Sequence, residues 1–104
     1  MIRHCVFVKF RPDVDEAERQ GIFEQLAALQ QVLDGFLGIA FGPNASPEGL
    51  AQGFEHGFII DFADTAARDA YLVHPDHKAA GGRLVAALQG GREGLIVFDM
   101  DNDG

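Results

Sequence analysis

The segment Ile2 to Phe10 constrains this chain most. Its period-two pattern puts His4, Val6, Val8 and Phe10 on one side and Arg3, Cys5, Phe7 and Lys9 on the other. Apolar side chains fall on both sides, so the segment reads as a strand covered on both faces. A chain of 104 residues has material for one compact domain, and the expectation is one domain over residues 1–104. With 47% apolar and 23% charged residues the chain is globular in composition. Its net charge of -8 opposes phosphate backbones and anionic lipid, so neither nucleic acid nor membrane is an expected partner. No apolar run approaches the roughly 20 residues of a membrane helix. The first residues lack a signal-peptide profile, and a lone Cys5 excludes internal disulfides, so a cytoplasmic location is expected.

Beyond the first strand, Pro12 breaks the pattern and Asp15 with Glu18 forms a helix-start signal. Ile22, Leu26, Leu29 and Leu33 then recur at helical spacing, with Phe23 beside them, which predicts an amphipathic helix of about five turns. Gly21 weakens that helix by about 1 kcal/mol relative to Ala, and Gly35 stops it. Strands are expected over Phe36 to Phe41, Phe54 to Phe62 and Leu95 to Met100, with a surface loop over Asn44 to Gly53. Asp64 caps a short helix through Val73, Pro75 interrupts it, and a further helix covers Asp76 to Leu88 before Gly90 and Gly91.

The order β-α-β-β-α(α)-β predicts an α+β, ferredoxin-like sandwich with helices on one face of a four-stranded sheet. Cys5 and Phe7 would then face water with the Gly57 and Ile59 side of the third strand, and a bare apolar sheet face demands a partner. The simplest solution is a homodimer in which two sheets close into a dimeric α+β barrel. The alternative is a monomer whose acidic tail, Asp101 to Gly104, hides the face.

By parity, His4 shares the helical face with Val6, and His56 shares it with Phe58. With Tyr71 and His77 in the helical layer, four polar side chains would converge at an apolar cleft made by Val6, Ile22, Phe23, Leu26 and Phe58. Imidazoles and a phenol in an apolar cleft suit proton transfer at a carbon next to a carbonyl: His77 as base, Tyr71 stabilising the enolate oxygen, His4 and His56 assisting. Each residue also has a packing role open to it: strand histidines that donate to a backbone carbonyl, His74 as a helix cap, Tyr71 as a core aromatic. A metal is not expected, because His74 and His77 at i, i+3 have no Glu or Asp aimed at the same place. The glycine pairs match no phosphate loop, and Cys5 on a covered strand reads as inert packing.

The stretches His4-Cys5-Val6-Phe7-Val8-Lys9-Phe10, Gly42-Pro43-Asn44-Ala45-Ser46, Gly53-Phe54-Glu55-His56-Gly57, Tyr71-Leu72-Val73-His74-Pro75-Asp76-His77 and Val97-Phe98-Asp99 resemble the stress-responsive A/B barrel (Dabb) domain. The resemblance spans essentially the whole chain, and it implies a homodimeric α+β barrel. One plant member type is a cofactor-free polyketide cyclase that closes a ring by an intramolecular aldol step. Motif on motif, its base and its tyrosine fall on His77 and Tyr71, and two further pocket histidines fall on His4 and His56. The resemblance thus implies a small-molecule pocket for an apolar or aromatic carbonyl ligand, with no cofactor. Three functions follow as expectations: aldol-type acid-base chemistry, a non-enzymatic stress-response dimer with structural histidines, or a cofactor-free monooxygenase. This chain departs from the family at Phe54, where Tyr is common, at Glu55, where Thr is usual, and at Lys78-Ala79-Ala80-Gly81-Gly82, where a bulky apolar residue is usual. A lysine and several small residues there point to a wider or more polar pocket.

Overall fold

In the computed structural model, which describes residues 1–102, the strands are β1 (Ile2–Val8), β2 (Phe36–Pro43), β3 (His56–Phe62) and β4 (Leu95–Asp101). They form one four-stranded sheet in the order β2-β3-β1-β4, with every neighbouring pair antiparallel. The helices are α1 (Glu16–Ala27), α2 (Thr65–Val73) and α3 (Pro75–Ala86), and short 3-10 segments cover Ala28–Gln31 and Gly91–Gly94. The fold is the ferredoxin-like α+β sandwich that the element order predicts.

The even-numbered side chains of β1 and β3 face the helices. Val6, Val8, Phe58, Ile60 and Phe62 pack there against Ile22, Phe23 and Leu26 of α1, Tyr71 of α2 and Leu84 of α3. The opposite face carries Phe7, Ile96, Phe98 and Met100, which are 40%, 43%, 56% and 49% exposed. Cys5 is buried on that face between its ladder partners Ile59 and Phe98, and burial raises its thiol pKa, so it stays protonated and unreactive. Of the acidic tail, Asp103 and Gly104 lie outside the described residues.

Several expected boundaries shift for identifiable reasons. β1 ends at Val8 and not Phe10, because Lys9 and Arg11 bond to the segment around α3's end: Lys9 N–H donates to the Gly94 carbonyl and Arg11 N–H to that of Ala87. β3 opens at His56 and not Phe54, because Gly53 (φ +88°) turns the chain and Phe54 N–H bonds back to Ala51. The first helix tightens into its 3-10 turn after Ala27, which still buries Leu29. Asp15 caps α1 by accepting from Glu18 N–H at 2.8 Å. The Glu18 carboxylate does not complete that box. It takes Arg83 of α3 through two hydrogen bonds of 2.6 and 3.2 Å, and Arg83 also reaches Gln25. Gly21 has its explanation here, since a Cβ on it would lie 2.9 Å from the Arg83 guanidinium that crosses α1.

The break between α2 and α3 positions the chemistry. Pro75 occupies the first helical position, and extended His74 caps α3, its Nδ1 accepting from Asp76 N–H at 3.0 Å. The chain therefore turns sharply between Tyr71, near the end of α2, and His77, in the first turn of α3.

Candidate functional site

Between α2, α3 and the β1–β4 half of the sheet lies a cleft of about 680 Å³. Buried Val6, Leu26 and Phe58 are among its walls, and Leu84, Leu95 and Val97 extend them. Val97 faces the helical side opposite Val6, yet it is 55% exposed, which marks where the cleft opens. Its polar groups are few: His4, Tyr71 and His77, with Lys78 and Arg92. Such a mostly apolar concavity with a few convergent polar groups is what small-molecule sites look like.

Tyr71 and His77 touch, their ring centroids 4.2 Å apart, and the His4 ring lies 5.7 Å from that of Tyr71. Tyr71 thus packs against both imidazoles. His77 Nδ1 sits 3.2 Å from the Leu72 carbonyl, which can only accept, so Nδ1 carries the hydrogen and neutral His77 has its lone pair on Nε2. The Cβ position of Gly81 is 4.0 Å from Nε2, one turn further along α3, and Gly81 lines the cleft. Burial lowers the His77 pKa below its ordinary value, and the hydrogen bond to Leu72 opposes that only in part, with His4 and Lys78 adding to the lowering. The imidazole is therefore unprotonated at neutral pH. Burial raises the Tyr71 pKa, which keeps it a neutral phenol able to donate.

His4 is 4% exposed, and its Nδ1–H donates to Asp99 Oδ1 at 2.6 Å. Arg68 Nη1 donates to the other oxygen, Asp99 Oδ2, at 3.1 Å. Asp99 is thus a carboxylate of the site that the spacing of the histidines does not reveal. Asp99 lies opposite His4 in the β1–β4 ladder, on the helical face. Continuing the period-two count from Leu95 and Val97 to Asp99 would have found it. No group of three or more His, Cys, Asp or Glu residues arranged to hold a metal occurs among the described residues.

His56 does not join these rings. β1 and β3 run antiparallel, so His4 pairs with Ile60 and His56 pairs with Val8. Parity puts both histidines on one face, but register puts them four residues apart along the ladder, about 13 Å at strand rise. His56 instead packs against Phe10, with ring centroids at 5.3 Å, and its lowered pKa follows from burial first and Arg19 second. Ile22 and Phe23 are buried in the core and are not part of the cleft lining, and Phe23 stacks on Phe41 at the His56 end. His74 is the cap of α3.

The fold and the cleft define a ferredoxin-like protein with an apolar pocket beneath its last two helices. The chain belongs to the stress responsive A/B barrel domain (Dabb) family, whose model matches residues 2–102. It is 35% identical to a dimeric ferredoxin-like protein of unknown function from Jannaschia sp. CCS1, covering 96% of this chain and 97% of that one with a TM-score of 0.83. It is 20% identical over 98 residues to olivetolic acid cyclase of Cannabis sativa, covering 94% of this chain and 93% of the relative. Hydroxynitrile lyase from Passiflora edulis shares the fold at a TM-score of 0.84 and 20% identity, covering 99% of this chain and 94% of that one.

Proposed function

We propose that this protein is a homodimer whose protomers each bind a small apolar or aromatic carbonyl compound and carry out cofactor-free acid-base chemistry on it. The observation that carries this reading is the Tyr71–His77 contact in the cleft, with the Nε2 lone pair left over after Nδ1 is tied to Leu72. Nε2 takes a proton from the carbon next to the carbonyl. The C–H electron pair becomes the C=C bond of an enolate, the carbonyl π pair moves to oxygen, and the Tyr71 hydroxyl donates to that oxygen. The enolate then attacks a second carbonyl carbon within the same molecule, whose π pair moves to its oxygen and takes the proton from His77, or the enolate carbon itself regains that proton. His4, fixed by Asp99 and Arg68, presents a second imidazole beside Tyr71. The cyclase and lyase among the relatives support an enzymatic reading over a purely structural one.

Dimerisation covers the exposed Phe7, Ile96, Phe98 and Met100, and the Jannaschia relative, described as dimeric, supports it. The test is hydrogen-deuterium exchange of the acetophenone methyl group in D2O, followed by proton NMR. Wild type should accelerate exchange, and His77→Ala should lose about 10²- to 10⁴-fold of that acceleration while keeping its circular dichroism. Exchange equally fast with both proteins would end the reading.

A further inference from the structure

The chain has eight Lys and Arg residues against sixteen Asp and Glu. Among the described residues, four of the eight are in ion pairs: Arg3 with Asp61, Arg11 with Asp13, Arg68 with Asp69 and Asp99, and Arg83 with Glu18. Lys9 lies 4.6 Å from the centre of the Phe54 ring, and Arg19 donates to the Val14 carbonyl at 2.9 Å. That leaves Lys78 and Arg92. Neither has an acidic partner among the described residues, and both line the same cleft. In a protein of net charge -8, general basicity does not explain two unengaged cations at one cavity. Asp99, the carboxylate that holds His4, is itself shared between His4 and Arg68. Beside Arg92, Glu93 turns back toward Gly90.

We propose that the cleft takes a carbonyl compound that also bears a carboxylate, the carboxylate pairing with Lys78 and Arg92 and the carbonyl meeting Tyr71 and His77. This deepens the acid-base reading and rests on it. A singly charged carboxylate matches two separate side-chain cations at the rim of a mostly apolar cleft. The cationic side chains that line it are Lys78 and Arg92. The apolar walls take the ligand's hydrocarbon body, and a singly charged end stays at the exposed rim, where its desolvation is small.

The experiment titrates the whole protein with 4-acetylbenzoate, methyl 4-acetylbenzoate and 4-acetylphenyl phosphate, reading affinity and the His77 imidazole signals by NMR. Wild type should bind the acid roughly tenfold more tightly than its ester, as two rim charge pairs provide. The preference should shrink in high salt. The Lys78→Gln/Arg92→Gln double variant should lose the preference and leave ester affinity unchanged. If the ester perturbs His77 and the acid binds no better, the carboxylate inference fails and the acid-base reading stands. If no ligand perturbs His77, both fail. Tighter binding of the phosphate than of the carboxylate would also overturn the assignment, as would a double variant that keeps the acid preference.

Discussion

Gly81 sits in the interior of α3 with ordinary helical backbone, since the positive-φ glycines are Gly35, Gly49, Gly53, Gly90 and Gly91. A Cβ built on Gly81 meets only His77 Nε2, at 4.0 Å, an ordinary van der Waals contact. Gly81→Ala therefore introduces no clash, and the helix should gain about 1 kcal/mol from the lost chain entropy of glycine. For a domain of this size that raises the melting temperature by about 4 °C or more. The same methyl group sits 4.0 Å from the atom that carries the lone pair and takes up cleft space beside it. A reacting carbon must come within about 3–3.5 Å of the base, and displacing it by about 1 Å costs on the order of 100-fold. Gly81→Ala should thus be more stable and 10- to 100-fold slower in acetophenone exchange, an estimate from the same displacement argument. Gly82→Ala is the control: Gly82 also lines the cleft, but its Cβ meets nothing within 4 Å, His77 Nε2 included, so it should gain comparable stability and keep most of the exchange rate. Differential scanning calorimetry alongside the NMR exchange assay reads both quantities. A Gly81→Ala protein that is stabilised and fully active would refute the assignment of Nε2 as the base.

Acid should both inactivate and destabilise the protein. The folded state lowers the His77 pKa from its ordinary 6.5, and that of His56 in the same direction, so the unfolded chain binds more protons as pH falls below about 6.5. Unfolding free energy should hold level above pH 7 and decline below about 6.5, and a urea midpoint that rises on acidification from pH 7 to 5.5 would contradict this. Asp99→Asn replaces one of two acceptor oxygens with an amide that cannot serve both His4 and Arg68. With Asp99 a quarter exposed, the cost should be about 1–2 kcal/mol in urea unfolding. Phe98→Glu charges the open sheet face, and light scattering should return the mass of one chain where wild type returns two.

The fold was legible because its signals are local. Period-two runs fixed four strands and their faces, and Asp15, Asp64 and Pro75 marked helix starts. The Tyr71–His77 half of the site follows from local sequence too, since six residues and one proline turn bring the rings together. The rest depends on register, which alternation cannot supply. Parity put His56 on the correct face but said nothing of its height on the sheet. Asp99 is 95 residues from His4 and meets it only through strand pairing. Lys78 was visible as a departure from the family pattern, whereas Arg92 lines the same cleft only once the chain is folded.

Long-range proton-nitrogen NMR of the His77 imidazole at pH 7 reads whether a lone pair on Nε2 faces an occupiable cleft. The spectrum should show a protonated Nδ1 and an unprotonated Nε2 whose shift moves when 4-acetylbenzoate is added. An imidazolium, a proton on Nε2, or a signal indifferent to ligand would contradict that arrangement.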